Sequence, residues 1–214
     1  MGVSQPLNEK VIQWVSLDPF DKKVMRECFA TLSANVTAGA GKLAPVRFKE
    51  QMKMDNIKFY QVSSTYVDYL VPYAPHLFHN KQKGQQNERK YIGVVLHIND
   101  MDYFAPLSSF KEKHGRMSEG LDFIKIKNYA VINLNNMFPV PKGCYTYVDI
   151  SKERDMKYQT LLLAEYRYIK SIQETLRKNA AILYRLKVKG EISALTKRCN
   201  DFLMLEELCR KYRG

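Results

Sequence analysis

Apolar and polar positions alternate most clearly between residues 57 and 150. IKFYQV (57–62) and KYIGVVLHI (90–98) are β-rich runs, and Asn99-Asp100 turns the second back into MDYFAPL, which predicts a hairpin. Pro106 has no N–H for the ladder and is expected to end that strand, leaving Ser108, Ser109, Lys111 and Lys113 in a short polar turn. Between the first two runs, SSTYVDYL offers Ser63 or Ser64 as the N-cap of a short helix, and residues 72–88 form a polar loop. DFIKI and AVINL, joined by Lys127-Asn128-Tyr129, predict a second hairpin, and YTYVDI (145–150) a last strand.

After Ser151 the period lengthens. Leu162, Tyr166, Ile169, Ile172 and Leu176 step by three and four, the stripe of a long helix. Gly190 interrupts it, and two short helices follow, broken near Asn200. Strands first and helices last predict an α+β fold: a strongly twisted, mostly antiparallel sheet, a long C-terminal helix and additional short helices. The absence of βαβ alternation and of a Gly-rich phosphate loop argues against a Rossmann or P-loop nucleotide site.

Residues 1–53 have a different character. SANVTAGAGKLAPVRFKEQ is a small-residue stretch without a period and reads as loop or linker, and MDNIKFYQV at Met54 opens the compact domain. The expected organisation is an N-terminal extension, 1–53, and one domain, 54–214. The extension is either a misassigned start, since Met52 and Met54 would both serve, or a loosely attached appendage.

Composition narrows the class. No apolar run approaches the roughly 20 residues that span a bilayer, and the N-terminus lacks the basic and apolar regions of a secretory signal. Gly2 is not read as a myristoylation site, because Pro6 stands where that motif has Ser or Thr. Cys28, Cys144, Cys199 and Cys209 contain no C-x-x-C pair, which suits a reduced, cytoplasmic protein. Of the net charge of +12, residues 151–214 carry +7, with 15 Lys and Arg against 8 Asp and Glu. A basic excess in one region suggests a polyanionic partner; on charge alone, a solvated helical surface explains it equally well.

The inventory excludes several mechanisms. There is no H-E-x-x-H and no G-x-S-x-G, and His76 and His79 have no nearby Cys or Asp in sequence. Two-metal cleavage needs clustered carboxylates, whereas residues 54–150 offer scattered acids, so any chemistry on nucleic acid is expected to need no metal and no cofactor. Metal-free cleavage suits RNA, whose 2′-OH can attack its own phosphate. The protein then supplies a proton acceptor, cationic donors for the charge building on phosphorus oxygens, and a donor for the leaving 5′ oxygen. Ser108, Ser109 and Lys111 fit the last two roles as well as they fit a polar turn; a Ser–Lys hydrolase dyad is a rival reading, but nothing nearby resembles an acyl-binding pocket or oxyanion loop. Tyr66 is a helix-surface aromatic or a base-stacking platform, and Arg89 and Lys90 are edge-protecting charges or phosphate clamps.

In order along the chain, KFYQVSSTYVDYL, KYIGVVLHINDMDYFAPLSSFKEKH and AVINLNNMFPVP, followed by a helical tail, resemble the ToxN/AbiQ family, endoribonuclease toxins of type III toxin–antitoxin systems. The resemblance covers residues 54–214. It implies a twisted antiparallel sheet like that of the Kid/MazF toxins, and metal-independent cleavage of A-rich RNA to 2′,3′-cyclic phosphate and 5′-hydroxyl ends. It also implies inhibition by a tandem-repeat pseudoknot RNA cut from its precursor by the toxin, a closed protein–RNA hetero-oligomer without a membrane, and a role in abortive infection or plasmid maintenance. By the same resemblance Ser109 is the critical hydroxyl and Lys111 its cationic partner, and Ser108 stands where a Thr is usual. Tyr66 stacks on or positions RNA, and Arg89 with Lys90 supplies the basic residue before the second long strand. Lys113 adds an RNA-binding ammonium, and the role of His114 is open. A second loop Tyr has no counterpart in GQQNER. The basic helices, with Lys187 and Lys189, are expected to dock the antitoxin. The alternative reading is a non-catalytic basic RNA-binding protein.

Overall fold

The computed structural model describes residues 55–80 and 89–214. The extension assigned to 1–53, and residues 81–88 of the predicted loop, lie outside the described residues. Seven strands are described: β1 (Lys58–Val62), β2 (Tyr91–Ile98), β3 (Met101–Ser109), β4 (Phe123–Ile126), β5 (Ala130–Asn133), β6 (Phe138–Val140) and β7 (Tyr145–Tyr147). All pair antiparallel, in the order β4-β5-β3-β2-β1-β7, with β6 on β3. The described helices are α1 (Ser64–Leu70), α2 (Glu112–Arg116), α3 (Met156–Val188), α4 (Ala194–Lys197) and α5 (Phe202–Lys211). The fold is α+β, as the pattern of strands followed by helices predicts. Among the described residues, no helix is long and apolar enough to cross a membrane.

The β2–β3 hairpin closes on Asn99 and Asp100, with φ of 52° and 59°. Two left-handed residues make the primed turn whose twist matches that of the strands, and Asn and Asp tolerate that region best after Gly. Pro106, however, does not end the ladder. It lies opposite Tyr91 of β2, and β3 runs on to Ser109, with Leu107, Ser108 and Ser109 paired to Ile132, Val131 and Ala130 of β5. Leu107 N donates to Lys90 O at 3.0 Å, so alternation turns position 106 toward the other edge of β3. There, β6 pairing stops at Phe104 and β5 pairing starts at Leu107, so the missing N–H breaks no ladder bond. Strand β6, only three residues around Pro139, gave no alternation to find.

Both sheet faces are covered. Leu162, Ile169, Leu176, Ala180 and Leu183 of α3 pack on one face against Phe59, Ile92, Val95 and Ile132, burying the predicted stripe, with Tyr166 and Ile172 half-buried at its margin. Val67 and Leu70 of α1 and Leu205 of α5 cover Tyr91, Phe104 and Phe138 on the other. A Cβ at Gly93 would run into the Phe104 ring, so the close approach of these two strands requires glycine. Helix α3 starts on Asp155, whose carboxylate accepts from Lys157 N at 2.9 Å and Tyr158 N at 3.1 Å, and the chain leaves it through Gly190 at φ 74°.

Glu206 of α5 links these layers. Its buried carboxylate accepts from Tyr184 Oη at 2.7 Å, Tyr103 Oη at 2.9 Å, Asn99 Nδ2 at 3.1 Å and Arg210 Nη2 at 3.2 Å. One side chain thus joins the hairpin turn, β3, α3 and α5.

Candidate functional site

Because β3 extends through Ser109, the two serines are strand residues with fixed, opposite orientations. Ser109 shares the face of Leu107, Ala130 and Ile132, and is exposed at the strand's end. Ser108, half-buried, shares the face of Tyr91 and Phe104. Continuing the register beyond Tyr91↔Pro106 sets half-buried Arg89 opposite Ser108. The adjacent hydroxyls therefore do not form one pair: Ser109 lies on the side of α3 and Ser108 beside Arg89.

Phe110 N donates to Tyr129 O at 3.1 Å and ends the pairing with β5. Exposed Lys111 then precedes α2. Its N–H donates to His114 Nδ1 at 3.0 Å, and its carbonyl accepts from His114 N at 2.8 Å, a reciprocal bond that fixes the backbone carrying the ammonium. His114 is only 7% exposed and sits edge-on to Phe110 and Phe123. Burial first, then Lys113, Lys111 and Lys125, hold its pKa below the ordinary value of 6.5. With Nδ1 occupied as an acceptor, the ring is a neutral clamp on Lys111. Sequence reading left that role open.

Sequence reading also missed Lys125. It is the one half-buried position in the alternation of β4, its Nζ donates to Gly115 O at 3.2 Å, and it brings a third ammonium to the α2 region. Its distance along the chain from Lys111 and Lys113 hid the grouping.

As pH falls, the unfolded chain takes up a proton on His114 before the folded one does. The clamp's stability is therefore complete above about 6.5 and lost as pH falls through the lower folded-state value. We expect the wild-type melting temperature to decline below about pH 6.5 more steeply than that of His114→Asn. Parallel curves would remove His114 as the titrating clamp.

Other predicted residues fall elsewhere. Tyr66 is fully buried, its hydroxyl donating to Pro139 O at 2.7 Å and its ring 4.9 Å from that of Tyr212. The expectation that it stacks on RNA is corrected on this geometry: the ring packs α1 against α5 and offers no face to a base. Arg89 holds its guanidinium 5.7 Å from the Phe78 ring, and its N–H donates to Asn80 O at 3.1 Å. Buried Asn80 in turn bonds Val62 O, Ser64 Oγ and Tyr91 Oη, so the start of β2 is anchored to α1. Lys90 is half-buried and Lys113 exposed. Lys187, expected in an RNA-docking face, donates to Thr196 O at 3.1 Å and ties α3 to α4, while Lys189 is exposed. His79 Nδ1 lies 2.5 Å from Asp68 Oδ1. Among the described residues, no three His, Cys, Asp or Glu are grouped to hold a metal ion.

Residues 58–210 match the family described as toxin ToxN, type III toxin–antitoxin system. The chain is 33% identical over 168 residues to Endoribonuclease ToxN of Bacillus thuringiensis subsp. kurstaki, covering 74% of this chain and 86% of that one. Two solved structures are similar. One, of a bacterial antiviral system regulated by a processed non-coding RNA, superposes with a TM-score of 0.67 at 25% identity over 73% of this chain and 99% of the other. The second, of a type III system with selective toxin inhibition by a non-coding RNA pseudoknot, gives 0.65 at 30% identity over 74% and 98%. The chain belongs to the ToxN family, the toxins of type III toxin–antitoxin systems.

Proposed function

We propose that this chain is an endoribonuclease toxin that cuts A-rich RNA without a metal and is restrained by a pseudoknotted antitoxin RNA. The observation that carries the reading is the exposed Ser109 hydroxyl at a strand end, two residues from an ammonium whose backbone is clamped by His114. The 2′-oxygen of the substrate bonds to the adjacent phosphorus and loses its proton. The bond from phosphorus to the 5′-oxygen breaks, and that oxygen leaves with a proton. The ends are a 2′,3′-cyclic phosphate and a 5′-hydroxyl. Lys111 stabilises the charge that builds on the phosphorus oxygens, and the Ser109 hydroxyl donates to the same group. Arg89, Lys90, Lys113 and Lys125 hold flanking phosphates, and Ser108 orders the Arg89 side of the site.

The natural RNA partners are the tandem-repeat antitoxin precursor and target mRNA. The toxin cuts the precursor and then stays bound to the processed pseudoknots in a closed protein–RNA assembly in the cytoplasm. Such a pair serves phage defence or plasmid maintenance. The domain responsible is 54–214, with 1–53 an extension.

Purified protein should cleave A-rich RNA in the presence of EDTA and leave cyclic-phosphate ends, and Lys111→Ala should slow that cleavage by about 10²–10³-fold. Dependence on added divalent ion would remove the metal-free mechanism. A rate change below a few-fold would demote Lys111 to a binding residue.

A further inference from the structure

The sheet's other edge carries an unassigned surface. Tyr147 of β7 is 53% exposed, with the Lys58 ammonium 5.6 Å from its ring centroid. Tyr60 braces it edge-on at 6.2 Å and is itself braced by Tyr145 at 5.4 Å. Beside Tyr147 and Lys58 opens a cleft of about 220 Å³, walled by Phe59, Tyr166, Asp149 and Ser151. Asp149 is held there by Ser151, whose N–H and Oγ donate to Oδ1 at 3.0 and 2.7 Å. Lys152 Nζ stands 3.8 Å from Asp149 Oδ2.

We propose that this cleft is a nucleobase subsite for single-stranded RNA, separate from the Ser109 site. Its size suits one base, being smaller than the ~300 Å³ at which pockets for drug-sized ligands begin. An exposed tyrosine braced by Tyr60 is a rigid stacking surface, and every base has a π-face to lay on it. Lys58 and Lys152 flank the cleft with the charge a phosphate needs. Asp149 supplies a fixed acceptor for an N–H on the edge of the base.

Tyr147 lies in a row with Tyr60, Tyr91 and Pro106 across β7, β1, β2 and β3, on the sheet face of Phe104 and Ser108, so its ring is set apart from Ser109, which lies on the α3 face.

The inference rests on RNA being the substrate, but not on Ser109. Its test uses the full-length protein and 2′-O-methyl hexaadenylate carrying one 2-aminopurine, which cannot be cut because its 2′-oxygens are blocked. Wild type should quench the probe on binding. Tyr147→Ala should lose that quenching and bind roughly five- to a hundredfold more weakly, with Tyr147→Phe near wild type. Asp149→Ala should keep the quenching but bind the probe about five- to tenfold more weakly. Unaltered binding by Tyr147→Ala, or equal loss in Tyr147→Phe, overturns the stacking subsite, and unaltered binding by Asp149→Ala overturns the acceptor role. Because nothing is cut in this assay, its failure leaves the cleavage reading standing. Conversely, a Ser109→Ala protein that still cuts would leave this subsite standing.

Discussion

Replacing Ser109 by alanine is expected to abolish RNA cleavage and growth inhibition while leaving folding and RNA binding nearly intact. Ser109 is exposed and its backbone pairing to Ala130 is unaffected by the side chain, so stability should move by less than about 0.5 kcal/mol. On the proposed reading, binding rests on other cations, chiefly Lys111, Lys113, Arg89 and Lys125. What disappears is one donor aimed at the reacting phosphate, and removal of a single such donor costs about 10²–10³ in rate. Induced expression, a cleavage time course and a binding titration read the three quantities separately. Full toxicity in the variant would eliminate the proposed site. The alternative, a non-catalytic RNA-binding protein, gives a different pattern: toxicity would follow binding, and Ser109→Ala would change neither. In either case binding should weaken steeply as salt rises, because each neutralised phosphate releases counterions.

The largest stability effect is expected at Glu206. Replacing it with alanine leaves the hydroxyls of Tyr103 and Tyr184 without an acceptor inside the protein and removes the carboxylate from the Arg210 guanidinium, while Asn99 Nδ2 keeps only its bond to Tyr184 Oη at 3.2 Å. Burial already opposes ionisation of both tyrosines, and their pKa values are raised chiefly by desolvation. Breaking a buried ionic network on one side costs about 3–5 kcal/mol. At ~2–4 °C per kcal/mol for a domain of this size, the melting temperature should fall by about 10 °C. Glu206→Gln keeps one acceptor oxygen and should lose less. A melting temperature within a degree or two of wild type in Glu206→Ala would show that the four donors find other partners.

The fold was legible where local signals agreed. Asn99-Asp100 between two apolar runs marked the central hairpin, and Leu162, Ile169 and Leu176 marked α3. Ser109 and Lys111 were legible as candidates because their chemistry and their neighbouring motifs pointed the same way. The failures have a common cause, since each depended on contacts distant in sequence. Pro106 reads as a stop unless one knows that β3 changes partners beside it. Tyr66 and Tyr69 both lie on the seven-residue α1, and nothing local says that the Tyr66 ring is closed over by Tyr212 from the chain's far end. Lys187 looks like one more surface charge until α4 folds back and presents Thr196 O to it. Lys125 joins Lys111 and Lys113 only through the sheet.

The cover on the two sheet faces has a consequence for timing. One face is closed by α3 and the other in part by Leu205, both in the last-made stretch of the chain. While that stretch is still inside the ribosome, the α3 face has no apolar layer to pack against, α1 alone covers part of the other, and Ser109, on the α3 face, lacks a settled frame. Chains made from a message severed upstream of Met156 never acquire one. Under the function proposed above, a cut in the protein's own transcript upstream of that codon would therefore yield fragments without the α3 cover.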